Sequence, residues 1–448
     1  MRSAAYWAAI MDSLRRLQQS IMSYTYGHDR PTSPYSSLRQ SDVMPFSDKG
    51  RVLIVTPQPF YEDRGTPIAI RYVAQALSEL GVCVDILAFP IGTDVAIPRV
   101  HVLRSRNPLG LRHVPIGFSW RKLALDASLW HSFTRLVRGQ NYHIVHAVEE
   151  AAYMASVICP PLGQPFIYDM ASAIPMELAR KPIFRPRLMQ GLVSAAERHV
   201  ISTAAGVICS SGLGDYVLRQ VPDARVNQWA YPAHDSRVDG DRALAVRTEL
   251  GLRPDQRVIL YSGNFAAYQG IDLLLEAFSI ARRTRPELAL VCVGATRQEM
   301  LTHAAQDSTL RGQQVFIVPR QPRDKIPVYL QLADYLVLPR VSADNVPLKL
   351  FDYMASGKPI VATRGNAHEP LLDDTRAFLS EPNAAALSTA LLTACASSAR
   401  AAVIGHAAKA FAAEHFGWGR FVEFVRTTYI QALRNPLRDG LEPSTLAF

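Results

Sequence analysis

The chain has 448 residues, 48% of them hydrophobic and 19% charged. At roughly 100–200 residues per domain this excludes a single small binding module, and the composition excludes a disordered chain. The net charge of +9, carried by 41 arginines and only seven lysines, favours anionic partners such as nucleotides, phospholipid headgroups or nucleic acid without choosing among them.

The five cysteines (Cys83, Cys159, Cys209, Cys292, Cys395) stand singly, with no CxxC pair and no histidine at metal-ligand spacing. That pattern argues against a disulfide framework or a zinc site and fits a reducing, cytoplasmic compartment. No run of about 20 apolar residues is present, so no membrane-spanning helix is expected. Residues 4–11 are apolar, but Asp12, Arg15 and Arg16 follow without a cleavage pattern; this reads as a short amphipathic helix, not a signal peptide. Residues 1–48 end in a Ser/Pro/Arg-rich linker.

Residues 51–56 read as a buried strand. The next helix, with Thr66-Pro67 at its start, carries Ala69, Tyr72, Val73, Ala76, Leu77 and Leu80 on one face and stops at Gly81; a second strand spans 82–88. This βαβ pattern recurs with strands at 144–148, 165–168 and 206–210, predicting a parallel sheet covered on both faces over 49–235. A polar segment at 232–242 reads as a linker. The alternation then restarts over 236–416, with strands at 258–262, 288–293, 315–318, 335–338 and 360–363 and helices near 271–284, 324–333, 348–356 and 383–398. A last helix near 417–433 opens the tail 417–448 and packs back toward the first domain in this reading.

The segment LPRVSADNVPLKLFDYMASGKPIVAT (338–363) carries most of the chemistry. A strand ends at Pro339, Asp344 lies in the following loop, and a helix from Leu348 carries Lys349 and Asp352. The two carboxylates are eight positions apart, one at the strand's carboxyl edge and one inside the helix. Ligands of open parallel sheets bind at that edge. A phosphate at the helix start would meet unpaired backbone N–H groups with Lys349 beside them, and Asp352 would accept from a ribose diol. The bland alternative is that Lys349 and Asp352 form a solvated ion pair and Asp344 caps the helix.

This segment resembles the signature of retaining glycosyltransferases of family 4, with its acid-x7-acid spacing, Ala/Met-rich turn and Gly-x-Pro before a strand. Both acids, usually Glu, are Asp here. The resemblance covers roughly 50–430 and implies a GT-B fold: two Rossmann-like domains with parallel sheets facing across a cleft. It implies Asp352 as the ribose holder and Asp344 as a contact to hydroxyls of the transferred sugar. YSGNFAAYQGIDLLLEAF (261–278) resembles the family's donor-phosphate loop. Asn264 and Gln269 stand where members often carry Arg after Gly263 and Lys before the second glycine, which leaves Lys349, with Arg340 or Arg320 as replacements.

In the first domain YEDRGTP (61–67) resembles the family's glycine-bearing loop, with Gly65 and Thr66 opening a helix toward phosphate or acceptor. YHIVHAVEE (142–150) resembles the strand end where many members place a histidine two residues after His146. Val148 occupies that position, so Glu149 is the substitute candidate, and His146 reads as a satisfied core histidine. Asp169, ending the next strand, is a candidate for the acceptor side, with a loop cap as the equal alternative.

Between 99 and 138 eight basic residues (Arg99, Arg104, Arg106, Arg112, Arg121, Lys122, Arg135, Arg138) face one acid, Asp126, with Phe118, Trp120, Trp130 and Phe133 among them. That composition suits an anionic membrane surface, a nucleic-acid groove or a plain solvated face. The resemblance favours the first and leaves nucleic acid least expected.

The expectation is therefore a metal-independent and cofactor-free enzyme, cytoplasmic or peripheral on the inner membrane face. It would transfer a sugar from a nucleotide-diphosphate donor, with retention, to a polysaccharide, lipid-linked sugar or other hydroxyl acceptor. The competing expectations are a non-catalytic nucleotide-sugar-binding partner subunit and a sugar-nucleotide epimerase of the same fold.

Overall fold

The computed structural model describes residues 50–114, 120–179, 181, 184–210, 213–228, 230–233, 240–296, 299, 314–341, 346–365, 368 and 371–434. The N-terminal extension with its expected amphipathic helix, and the loop acid Asp344, lie outside them. The chain divides into two compact units, residues 1–229 with 422–448, and residues 230–421.

The first unit runs β1 (Arg51–Val55), α1 (Gly65–Glu79), β2 (Cys83–Ala88), β3 (Val100–Arg104), α2 (Trp120–Gly139), β4 (Ile144–Val148), α3 (Ala151–Ile158), β5 (Phe166–Met170), α4 (Ile174–Ala179), α5 (Arg187–Thr203), β6 (Gly206–Cys209), α6 (Gly214–Gln220) and β7 (Val226–Gln228). The strands form one parallel sheet in the order β3-β2-β1-β4-β5-β6-β7. The central strands are almost continuously apolar because helices cover both faces: Ile144–Val148 and Phe166–Met170 are buried at every position. Their core includes Leu125, Leu129 and Phe133 of α2 and Ala151, Ala155 and Ile158 of α3. Each fully buried Leu, Ile or Phe side chain contributes about 1.5–3 kcal/mol.

The second unit contains α7 (Gly240–Glu249), β8 (Arg257–Ser262), α8 (Ile271–Thr284), β9 (Leu288–Ala295), β10 (Val315–Pro319), α9 (Ile326–Leu332), β11 (Tyr335–Leu338), α10 (Leu348–Ser356), β12 (Ile360–Thr363), β13 (Phe378–Ser380), α11 (Ala384–Ala396) and α12 (Ser398–His415). Its parallel sheet has the order β10-β9-β8-β11-β12-β13. One face packs Val258, Leu260, Val291 and Leu336 with Leu350, Phe351 and Met354 of α10, and the other packs Ile259 and Leu290 with Leu274 and Phe278 of α8.

The last helix, α13 (Trp418–Leu433), begins in the second unit, and its residues from Val422 onward belong to the first. There Tyr429 is fully buried and Arg225 Nη1 donates to the Gln431 carbonyl at 3.2 Å.

Both sheets share one topological feature that positions chemistry. The strand order reverses between β1 and β4 in the first and between β8 and β11 in the second. Ligands of open parallel sheets bind at the carboxyl edge of such a reversal.

Candidate functional site

In the second unit the loop after β8 and the loop after β11 meet at the switch point. Gly270, the N-cap of α8, has φ +73°, and a Cβ there would stand 1.9 Å from the Pro339 carbonyl oxygen. Only glycine combines that left-handed conformation with so close an approach. The contact brings residues 263–270 beside the segment that leads into α10.

Lys349, the second residue of α10, projects into this junction. Its Nζ donates to Tyr261 Oη and to Gln269 Oε1, both at 2.9 Å, and lies 4.0 Å from the centre of the Tyr261 ring. Tyr261 Oη in turn donates to the Asn264 carbonyl at 2.6 Å. Gly263, at φ +148°, supplies the clearance, since a Cβ there would come within 2.3 Å of Nζ. Burial, with the Arg340 guanidinium adding repulsion, holds the Lys349 ammonium well below the usual lysine range. An arriving anion would reverse that balance.

Gln269 therefore does not repeat the work of a cationic side chain at its position; its amide oxygen holds the cation that comes from α10. Asn264, exposed, contributes its backbone carbonyl to the cradle and its Oδ1 to the Ala266 N–H at 3.3 Å. Arg340 is 4% exposed with its guanidinium 5.4 Å over the Tyr268 ring, and its carbonyl accepts from Thr363 Oγ1 at 2.6 Å. Arg320 is exposed at the end of β10. Leu348 opens α10 behind Pro347 with no side-chain cap, so the first-turn N–H groups of that helix lack a capping side chain.

Asp352 does not pair with Lys349, which rules out the solvated ion pair between them. Its carboxylate receives a two-pronged bond from Arg323, Nη1 to Oδ2 at 3.0 Å and Nη2 to Oδ1 at 2.9 Å. Sequence reading did not single out Arg323, because a residue 29 positions away on another element leaves no spacing signal.

In the first unit the corresponding junction lies between the ends of β1 and β4. Gln58 Nε2 donates to Glu149 Oε2 at 2.8 Å. Glu149 has φ +49°, a left-handed conformation that a non-glycine residue adopts at a cost, and its N–H donates to the Asp169 carbonyl at 2.9 Å. Burial first, then the neighbouring Glu150 carboxylate, push the Glu149 carboxyl up to about 8. Glu150 is instead paired with Lys122 at 3.1 Å. Gly65 and Thr66 open α1, whose N-cap Arg64 makes no side-chain cap and whose side chain pairs with Glu62 at 2.8 Å.

Two expectations for this unit are corrected. Asp169 is not an open acceptor group: it is 4% exposed, and its Oδ2 takes a 3.1 Å bond from His146 Nε2. Tyr429 Oη bonds His146 Nδ1 at 2.8 Å, so the three side chains form a buried polar chain. His146 is fully buried and satisfied on both nitrogens. Lys122 is likewise no surface cation, since Glu150 and Asp126 hold it at 15% side-chain exposure. Phe133 belongs to the core, and Arg104 is tied to the Phe60 and Ile91 carbonyls and to Asp94. Arg106, Arg112, Arg121, Arg135 and Arg138 remain exposed.

Residues 245–411, which contain the Lys349 cradle and Asp352, match the family model described as Glycosyl transferases group 1. Among curated relatives, alpha-D-kanosaminyltransferase of Streptomyces kanamyceticus is 26% identical over 231 residues, 50% of this chain and 59% of the relative, so the chain spans about six tenths of that protein. D-inositol 3-phosphate glycosyltransferase 1 of Catenulispora acidiphila is 25% identical over 82% of this chain and 91% of its own length. Among solved structures, the Anabaena protein HepE in complex with UDP-glucose superposes with a TM-score of 0.66 at 17% identity, over 85% of this chain and 99% of that one. The two units thus have the GT-B fold. No single helix among the described residues is long and apolar enough to cross a membrane.

Proposed function

We propose that the chain is a retaining glycosyltransferase that takes a sugar from a nucleotide-diphosphate donor bound in the second unit and passes it to a hydroxyl acceptor bound in the first. The observation that carries this reading is the Lys349 cradle at the β8/β11 switch point, inside the group 1 domain and beside the start of α10. HepE, of the same fold, holds UDP-glucose. A leaving diphosphate gathers negative charge, and the N–H groups of the first turn of α10 together with the Lys349 ammonium stabilise it as the sugar acquires oxocarbenium character.

Asp352 holds the ribose and Asp344 contacts the transferred sugar in this reading. The acceptor attacks on the face the diphosphate leaves, and its proton passes to the leaving phosphate. Glu149, uncharged near neutral pH at its raised value, suits a hydrogen-bond donor or a proton carrier to the acceptor better than a carboxylate nucleophile. The chemistry is proposed without a metal or cofactor. The exposed arginines between 106 and 138 suit an anionic membrane surface, and with it an acceptor in a cell-envelope polysaccharide or glycolipid.

The test is a panel of UDP-, GDP- and ADP-sugars incubated with the full chain, reading released nucleoside diphosphate with and without membrane lipid extract. Release of one nucleotide, stimulated by lipid and abolished in Asp352→Ala, is expected. A second reading, the non-catalytic partner subunit, is favoured by Asn264 and Gln269 in place of cations; tight binding of one donor with no release under any condition would establish it instead.

A further inference from the structure

Asp352 and Arg323 form the most completely organised charge pair at the donor edge. The guanidinium meets the carboxylate fork to fork, with side-chain exposures of 25% for Arg323 and 12% for Asp352. Arg323 stands in a one-turn 3-10 helix, Arg323–Lys325, which Pro322 introduces and α9 continues. That turn follows the carboxyl end of β10, so it approaches α10 from the edge where the parallel strands β8 and β11 also end.

An ionised carboxylate has about four acceptor directions, two on each oxygen. The Arg323 fork uses one on each and leaves one on each for another donor. A neutral sugar hydroxyl compensates a largely buried guanidinium far less well than a carboxylate does, so an incoming diol adds to the pair and does not displace it. The planar fork also removes the rotational freedom that an aspartate, one methylene shorter than the usual glutamate, would otherwise bring to the site.

We propose that Arg323 is a positioning residue that aims the outer lone pairs of Asp352 at the ribose hydroxyls of the bound nucleotide, so that selection of ribose over deoxyribose depends on Arg323. The inference rests on the second unit being the nucleotide-donor site. Arg323 touches no reacting atom in it and acts through Asp352.

The experiment is calorimetric titration of UDP, GDP and ADP, and then of the 2′-deoxy and 3′-deoxy forms of whichever binds, into the wild-type full chain, Arg323→Ala and Arg323→Lys, each checked for folding by thermal melting. One hydrogen bond to a charged group corresponds to about a tenfold to hundredfold preference. The wild type is expected to prefer the ribonucleotide over at least one deoxy form by that factor. In Arg323→Ala the preference falls to about twofold or less, while affinity for the deoxy form changes little. Arg323→Lys keeps the charge without the fork and falls between the two. If Arg323→Ala does not fold, the lysine variant decides by the same ratio.

An unchanged preference in the folded variants overturns the inference and leaves the donor site standing. Binding without preference in the wild type overturns it too, because Asp352 then reads no ribose hydroxyl. No binding of any diphosphate by the wild type overturns the donor-site reading itself, and the inference with it.

Discussion

The switch points of the two sheets have the same topology and opposite electrostatics. At the β8/β11 edge a cation, Lys349, is held by neutral groups, the hydroxyl of Tyr261 and the amide of Gln269. At the β1/β4 edge carboxylates crowd together, and Glu149 is pushed up to about 8 with Gln58 as its hydrogen-bond donor. Burial disfavours the charged form of both groups, but they answer to different ligands. An anion arriving at the first edge favours the charged form of Lys349, whereas the second edge presents a protonated carboxyl suited to exchanging hydrogen bonds with hydroxyls. One fold used twice can therefore divide a transfer reaction into a diphosphate side and a hydroxyl side.

The sharpest way to break this contrast is to remove the cation. Lys349→Met should lower turnover of the nucleotide sugar by about 10²–10³-fold, the range seen when a single stabiliser of developing negative charge is lost. The fold should survive, with about 1–3 kcal/mol lost because the buried Gln269 carbonyl is left without its donor. Steady-state kinetics and a thermal melt on the same preparation check both halves.

The first unit offers the complementary change. Tyr429→Phe removes the hydroxyl that bonds His146 Nδ1 and should cost about 1–3 kcal/mol of stability in a denaturant titration. Donor affinity should be unchanged, because His146, Asp169 and Tyr429 all belong to the first unit.

A further prediction concerns pH. Glu149 is raised to about 8 and Glu197, which accepts from Tyr153 and Tyr168, to about 7, both chiefly by burial. Between an ordinary value of 4.5 and these raised ones the folded state holds protons that the unfolded chain has released. Stability should therefore be highest near the acid end of that window and decline as pH rises through it. Glu149→Gln should flatten the upper part of the decline when melting temperatures are followed against pH.

The parts of this architecture that sequence reveals are those set by local pattern. The helix at 271–284 is bounded by the left-handed Gly270 and carries its apolar face at Leu274, Phe278 and Ala281; that at 348–356 ends at the left-handed Gly357. The strand Val100–Arg104 escapes such reading because its burial pattern is only partial, with His101 exposed at the sheet edge. The three-residue strands Val226–Gln228 and Phe378–Ser380 are too short to show a period.

The candidate site divides along the same line. Lys349 and Asp352 stand out by their place at a helix start after a strand, but their partners do not. Tyr261 is 88 positions from Lys349 and Arg323 is 29 from Asp352, and only the sheet order brings them together. Asp169 looked like a strand-end group facing a ligand, yet the return of the chain from Val422 closes its pocket with Tyr429, 283 positions from His146. Charge counting over 99–138 likewise could not tell Lys122, tied to Glu150, from the exposed arginines around it.

The central claim is that the Lys349 cradle receives a nucleoside diphosphate. Titration calorimetry of UDP, GDP and ADP into the wild type, Lys349→Met and Tyr429→Phe, at one ionic strength, tests it most directly. The account predicts that one diphosphate binds the wild type and Tyr429→Phe alike and binds Lys349→Met at least about tenfold more weakly. Equal affinity in all three proteins would contradict it.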